Sequence, residues 1–165
     1  MLDIHPRRKI REAAKKALKE SEYLSPAVKS KTYHNRAFSF RPEDMPAIKI
    51  MGVSEDSELI SETTGRTERT LDLAIEIMTS SSDESAQDQA DDIALGIEKT
   101  LRSPQTIGVK SCEYKRCRIK DHDGKGQILS TILMYEIVYE LSGDDLGWFE
   151  DPDGEFKETH MNIER

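Results

Sequence analysis

The chain has 165 residues and a mass of 18.8 kDa, and its 32 acidic against 24 basic residues give a formal net charge of −8. With 36% hydrophobic and 34% charged residues, it suits one small domain with a highly charged surface. Such a balance disfavours general adhesion to DNA or to an anionic membrane. No run approaches the ~18 apolar residues that span a bilayer, and residues 1–10 lack the apolar segment of a secretory signal. We therefore expect neither a membrane partner nor export.

The first predicted element is an amphipathic helix over residues 5–21. Its apolar stripe recurs at helical spacing and consists of Ile10, Ala13, Ala14, Ala17 and Leu18. Residues 1–20 hold seven bases against three acids, so the opposite face is basic on an otherwise acidic chain. This face is either a solvated surface or a contact with an acidic neighbour. The candidate contact residues on it are Arg7, Arg8, Arg11 and Lys15.

A long β-hairpin is the next large feature. After a loop near Pro26, a short strand over 31–40 and a turn over 41–46, strands are predicted over 47–53 and 70–79. Leu71, Leu73, Ile75 and Ile77 share one face of the second strand, and Asp72 and Glu76 lie on the other, which we expect to be solvated. The polar segment 54–69, with a tip at 63–65, has little to bury. Without a partner in its own domain, it is either a flexible loop or an arm that meets a neighbouring molecule, and the arm is the interpretation we carry forward.

A second helix and two strands complete the domain. The helix is predicted over 83–101, with an alanine-rich stripe, and the strands over 106–120 and 127–141. The last strand is apolar on both faces, which is typical of a central strand. Residues 121–126 contain the nearest approach to a metal-binding motif, but they lack the later ligands of a calcium loop, so a hairpin connection is predicted.

The two cysteines, Cys112 and Cys117, fall in one predicted strand. Their offset of five residues places them on opposite faces, far from disulfide geometry. Two cysteines are also too few for a structural zinc site. We therefore expect two reduced thiols.

The composition changes after Leu141. Residues 143–165 hold eight acids and two bases, a net −6 that is most of the charge of the whole chain. Such a segment is typically disordered alone, yet Leu146, Trp148 and Phe149 form an aromatic anchor of the kind that dominates interfaces. We predict a domain over 1–142 and an acidic extension over 143–165.

The element order predicts an α+β fold, with a mixed, mostly antiparallel sheet, two helices packed on one face and a long β-hairpin arm. The sequence contains no nucleophile elbow, phosphate-binding loop, dinucleotide fingerprint or zinc-protease motif, and its four histidines are scattered. We therefore predict that the protein is not an enzyme and uses no cofactor or metal.

Short motifs at both ends of this layout resemble the tail terminator proteins of long-tailed bacteriophages, the minor tail protein U type. A strand ends near Phe38-Ser39-Phe40, the step Glu43-Asp44-Met45-Pro46-Ala47-Ile48 follows, and the last strand reads Met134-Tyr135-Glu136-Ile137-Val138-Tyr139-Glu140. The resemblance covers about residues 5–141 and leaves 143–165 as an extension.

The resemblance implies a structural virion protein at the head-proximal end of the tail, assembled in the host cytoplasm. Members form a hexameric ring that caps the tail tube, ends its polymerisation and offers the surface that joins the head, so a tube protein, a neck protein and passing DNA are the expected neighbours. A phage neck, connector or tail-completion protein is an alternative, and so is a monomeric module that binds a protein through its Trp148 segment. The predicted interface residues are Arg7, Arg8, Arg11, Lys15, Glu58, Glu62, Arg66, Arg69, Trp148 and Phe149.

Overall fold

The structure is a computed structural model that describes residues 4–34, 40–80, 85–121, 127–143 and 145. The helices are α1 (Pro6–Glu20), α2 (Pro26–Ser30) and α3 (Ala86–Thr100), with 3-10 turns at Pro42–Asp44 and Pro104–Thr106. The strands are β1 (Thr32–His34), β2 (Ala47–Ser61), β3 (Arg66–Ser80), β4 (Ser111–Asp121) and β5 (Ile128–Leu141). They form one sheet in the order β1-β2-β3-β5-β4, in which only the β1–β2 pair is parallel. The predicted α+β class is confirmed.

The main core lies between the sheet and the helices, on the face that we call the helix face. There α1 packs against β1 and β2, and α3 packs against alternate apolar residues of β3 and β5. The predicted alternation in β3 is confirmed, since Leu71, Leu73, Ile75 and Ile77 are all buried. Strand β5 lies between β3 and β4, as its apolar composition on both faces predicts. Burial of each such side chain contributes roughly 1.5–3 kcal/mol.

The opposite, outer face of the sheet carries a smaller apolar cluster at one end. Its buried members are Phe40, Ala47, Met78 and Ile128. The prediction of a solvated Glu76 is wrong, because only 3% of this residue is exposed and Ser130 donates a 2.6 Å hydrogen bond to its Oε1. Asp72 is half-buried and accepts a hydrogen bond from Ser54.

The predicted hairpin forms, but its role in the sheet differs from the prediction. Both strands are 15 residues long, and Gly65 in the turn has φ of 60°, which favours glycine. Strand β3 pairs with β5 over its whole outer half, from Thr67 opposite Leu141. The prediction of an arm without a partner in its own domain is therefore wrong for β3, and of the two hairpin strands only β2 has an open edge.

Three element boundaries also differ from the predictions. The segment after Ser25 is helical rather than a loop, because Pro26 occupies the first position of α2, where its missing N–H is tolerated. Strand β1 ends at His34 among the described residues, and 35–39 lie outside them. Strand β4 begins at Ser111 rather than 106, after a 3-10 turn and Gly108, whose φ is 69°. Residues 122–126 lie outside the described ranges, so the predicted connection there stays a prediction.

Both cysteines are free thiols, as predicted, but the geometric reason differs. A β-bulge between Tyr114 and Arg116 shifts the register, so Cys112 lies opposite Ile137 and Cys117 opposite Leu133. Both cysteines therefore share the helix face, separated by about 13 Å along the strand, which is too far for a disulfide. Burial raises the pKa of Cys112 to about 11 and also raises that of Cys117.

Candidate subunit interface

The outer half of β2 is one open edge of the sheet. Strand β1 pairs with β2 only at residues 48–50 of β2. No other described residue pairs with residues 56–61 on the side of β2 that faces away from β3. A β-bulge between Gly52 and Ser54 resets the alternation, so Asp56 and Glu58 project from the outer face. Both side chains are exposed and make no ion pair within the described ranges. The edge is therefore acidic on its outer face.

Strand β4 is the other open edge, and its charge is opposite. Its bulge places Arg116, Arg118 and Lys120 on the outer face, opposite Met134, Ile132 and Ser130 of β5. All three basic residues are exposed, and none is in an ion pair with another described residue. Only Lys115, the bulged residue, has local partners, at 2.8 Å from Glu113 and 3.2 Å from Glu136.

The two edges also match on the helix face. There β2 presents Leu59, which is 47% exposed, and β4 presents Tyr114 and Ile119, which are 44% and 50% exposed. On the outer face, β2 thus carries two acids and β4 three bases that are unpaired among the described residues, and the one acid of β4 on that face, Glu113, is paired with Lys115. Unpaired backbone groups along an exposed edge strand are a template for pairing with another chain.

Glu55 holds the hairpin against the rest of the sheet. Its side chain is only 8% exposed, lies 3.0 Å from Arg69 and 4.0 Å from Arg7, and accepts a hydrogen bond from the Tyr139 hydroxyl. Burial, together with this hydrogen bond, raises the pKa of Tyr139 above its usual range. Arg69, a predicted interface residue, therefore serves a contact inside its own chain.

The other predicted interface residues are dispersed. On α1, Arg8 pairs with Glu12 at 2.7 Å, and the buried Nε of Arg11 has no hydrogen-bond partner. Lys15, also on α1, is half-buried. At the hairpin end, Arg66 lies 3.8 Å from Glu140.

The hairpin also carries Glu58 and Glu62, both exposed. Trp148 and Phe149 lie outside the described residues, so their predicted role stays a prediction.

The basic edge of β4 is the functional feature that sequence reasoning left out of the candidate interface. The signal was present as four bases in residues 115–120. Simple alternation places Arg116, Arg118 and Lys120 on one face of the strand. It cannot say which face, because the bulge at Lys115 shifts the alternation of side chains by one residue. In the same way, the face of the sheet on which the acids of β2 lie depends on the bulge at Val53.

The described residues contain no cluster of three or more His, Cys, Asp or Glu side chains that could hold a metal ion. Within those same ranges, no helix is long and apolar enough to cross a membrane.

Comparison with known proteins gives a likeness of fold. No family model matches the chain, and no curated protein matches it either. Among solved structures, the chain is similar to one from a structure described as the virion of a native gene transfer agent particle. The TM-score is 0.62 at 14% sequence identity, and the match covers 84% of this chain and 100% of that one.

Proposed function

We propose that this chain is a non-catalytic structural subunit of a phage-like particle, and specifically a tail terminator. Copies join into a ring that caps the tail tube, stops its growth and offers a surface to the head. The fold likeness to a chain of a gene transfer agent virion supports the general role. The motifs that resemble tail terminators support the specific one. A neck or connector subunit is the second candidate, since the fold likeness is equally compatible with it.

The observation that carries a ring is the pair of open, oppositely charged edges. The acids of β2 and the bases of β4 project from the same face of the sheet, and the exposed side chains of Leu59 on β2 and of Tyr114 and Ile119 on β4 lie on the other. If the β2 edge of one copy joins the β4 edge of the next, charges meet opposite charges and apolar groups meet apolar groups. Contacts between two different surfaces are the kind that close rings.

The two edges are also staggered along the strands. Asp56 is level with Thr70 of β3, whereas Arg118 is level with Ile132 of β5 and through it with Glu76. The offset of six residues corresponds to ~20 Å. Closed β-barrels require such a stagger between successive strands. In a ring built this way, the sheet of each subunit would continue into the sheet of the next, with the strands tilted relative to the ring axis.

Charge reversal tests this arrangement. We expect native mass spectrometry of the wild-type chain to show a six-fold species. Asp56→Lys with Glu58→Lys makes both edges basic, and Arg116→Glu with Arg118→Glu makes both acidic, so each double variant alone should be monomeric. Mixed together, the two variants restore opposite charges at every contact and should form rings with alternating subunits.

Controls of the same charge change lie away from both edges. Glu20→Lys with Glu22→Lys, and Arg41→Glu with Arg102→Glu, alter exposed residues outside β2 and β4 and should leave the ring intact. A mixture that stays monomeric would rule out edge pairing. A wild-type chain that is monomeric at all concentrations and does not cap tail tubes would overturn the terminator role and favour a monomeric protein-binding module.

The net charge of −8 gives a further expectation for DNA passage. A lumen poor in basic groups repels phosphate and lets DNA slide without specific binding. A ring structure in which Lys and Arg predominate along the pore would contradict this expectation.

A further inference from the structure

A groove runs along α1 on the helix side of the molecule. Its wider part has a volume of about 620 Å³, and its apolar lining includes Ile4, Ile10, Ala13, Ile107 and Val109. A second depression of about 450 Å³ shares Ala13 and continues past Lys16 and Ala17 to Glu20. Together they form one track along the helix, with an apolar floor at the end nearer the start of α1.

The chain itself enters this groove after β5. Asp145, the last described residue, lines the wider part. A tight turn directs it there: the Ser142 N–H and hydroxyl each donate to Asp145 Oδ2 at 2.8 Å, and the Gly143 N–H donates to the Thr64 carbonyl at 3.1 Å. The hydrogen bonds from Ser142, and more weakly the nearby Lys9, hold the pKa of Asp145 below its usual range.

The residues that follow fit the groove in size and charge. Leu146, Trp148 and Phe149 come directly after Asp145, and Trp148 can reach ~10 Å beyond it. A cavity of this volume accommodates large aromatic side chains. Lys9 and Lys16 are exposed beside it and seven residues apart, which places them on one side of α1. Acids at 150, 151 and 153 come next in the sequence, opposite in charge to these two lysines.

We propose that residues 146–149 dock into the α1 groove of their own chain, with the acidic residues after them along Lys9 and Lys16. The chain's own segment is favoured over other occupants because it starts at the mouth of the groove. Docking buries the apolar floor and neutralises part of the basic face of α1. That face is then closed to other partners for as long as the segment is docked.

Trp148 is the only tryptophan, so its fluorescence reports the docking in the full chain. In the wild type we expect blue-shifted emission that resists quenching by acrylamide. Lys9→Glu with Lys16→Glu should shift the emission to that of an exposed tryptophan and raise the quenching rate severalfold, with unchanged circular dichroism. Ala13→Glu, which narrows the groove and adds a negative charge, should do the same. Arg41→Glu with Arg102→Glu is the charge-matched control and should behave as the wild type.

Two results would overturn the proposal. The first is a Trp148 that is as accessible in the wild type as in the Lys9 and Lys16 double variant. The second is protection that disappears on dilution, which would mean that the segment occupies the groove of another copy. Because the measurement is made on monomers as well as on assemblies, its outcome is independent of ring formation.

Discussion

The two ends of the sheet are held together by different forces. At one end, β3 buries Leu73, Ile75 and Ile77 in the core beneath α3, and apolar contact dominates. At the hairpin end, the same strand is held by a hydrogen-bonded and charged network around Glu55 and by pairing with β5. The apolar end provides the stability of the domain. The hairpin end keeps a long, polar edge in a fixed position, where another molecule can use it.

The largest effect is expected at the apolar end. Ile75 is fully buried between neighbours on β2 and β5, so Ile75→Ala leaves a cavity and should lower the free energy of unfolding by about 2–5 kcal/mol. Urea denaturation followed by circular dichroism measures this loss. If Ile75→Ala lowers the free energy of unfolding by less than Glu55→Ala does, the apolar end is not the end that stabilises the domain more.

Glu55→Ala should cost less and should act locally. It removes the shared acceptor of Arg69 and Tyr139, and leaving such buried groups unpaired costs about 1–3 kcal/mol. Hydrogen exchange should accelerate in residues 55–70 and remain slow in 73–79. Tyr139→Phe, which removes only the hydroxyl, is the graded control, with an expected loss of about 0.5–1.5 kcal/mol. Uniform acceleration over the whole sheet would mean that the two ends unfold as one unit.

The smallest effect is expected from the exposed Lys110. Its ammonium, just before the start of β4, bridges Glu68 of β3 and Glu140 of β5 at the hairpin end, and both hydrogen bonds raise its pKa. Because the site is solvated, Lys110→Met should change the thermal midpoint less than Tyr139→Phe does, and the difference should vanish in high salt. A change as large as that of Glu55→Ala would show that surface charge also holds this end.

Sequence reasoning recovered the apolar end better than the hairpin end. Alternation in residues 71–77 and the helical stripes around Leu18 and Ile97 report burial directly, because each apolar side chain needs a covered position. The pairing of the outer half of β3 with β5, which begins with Thr67 opposite Leu141, leaves no such pattern in the sequence. Polar residues are compatible with either a paired or a free strand. The bulges at Val53 and Lys115 are set by tertiary pairing, and each reverses the faces of the residues beyond it.

The hydrogen bond between Gly143 and Thr64 has a consequence for any cyclic assembly. It ties the turn of the hairpin to Gly143, which directly follows the end of β5. All subunits of a ring have the same orientation along its axis, so every hairpin turn and every Gly143 would lie toward the same rim. Residues 146–165 carry six acids and two bases. The two rims of the assembled particle would therefore differ, because one of them alone carries the hairpin turns and the points from which the acidic segments start, and a partner arriving along the axis can tell the front of the ring from its back by that difference.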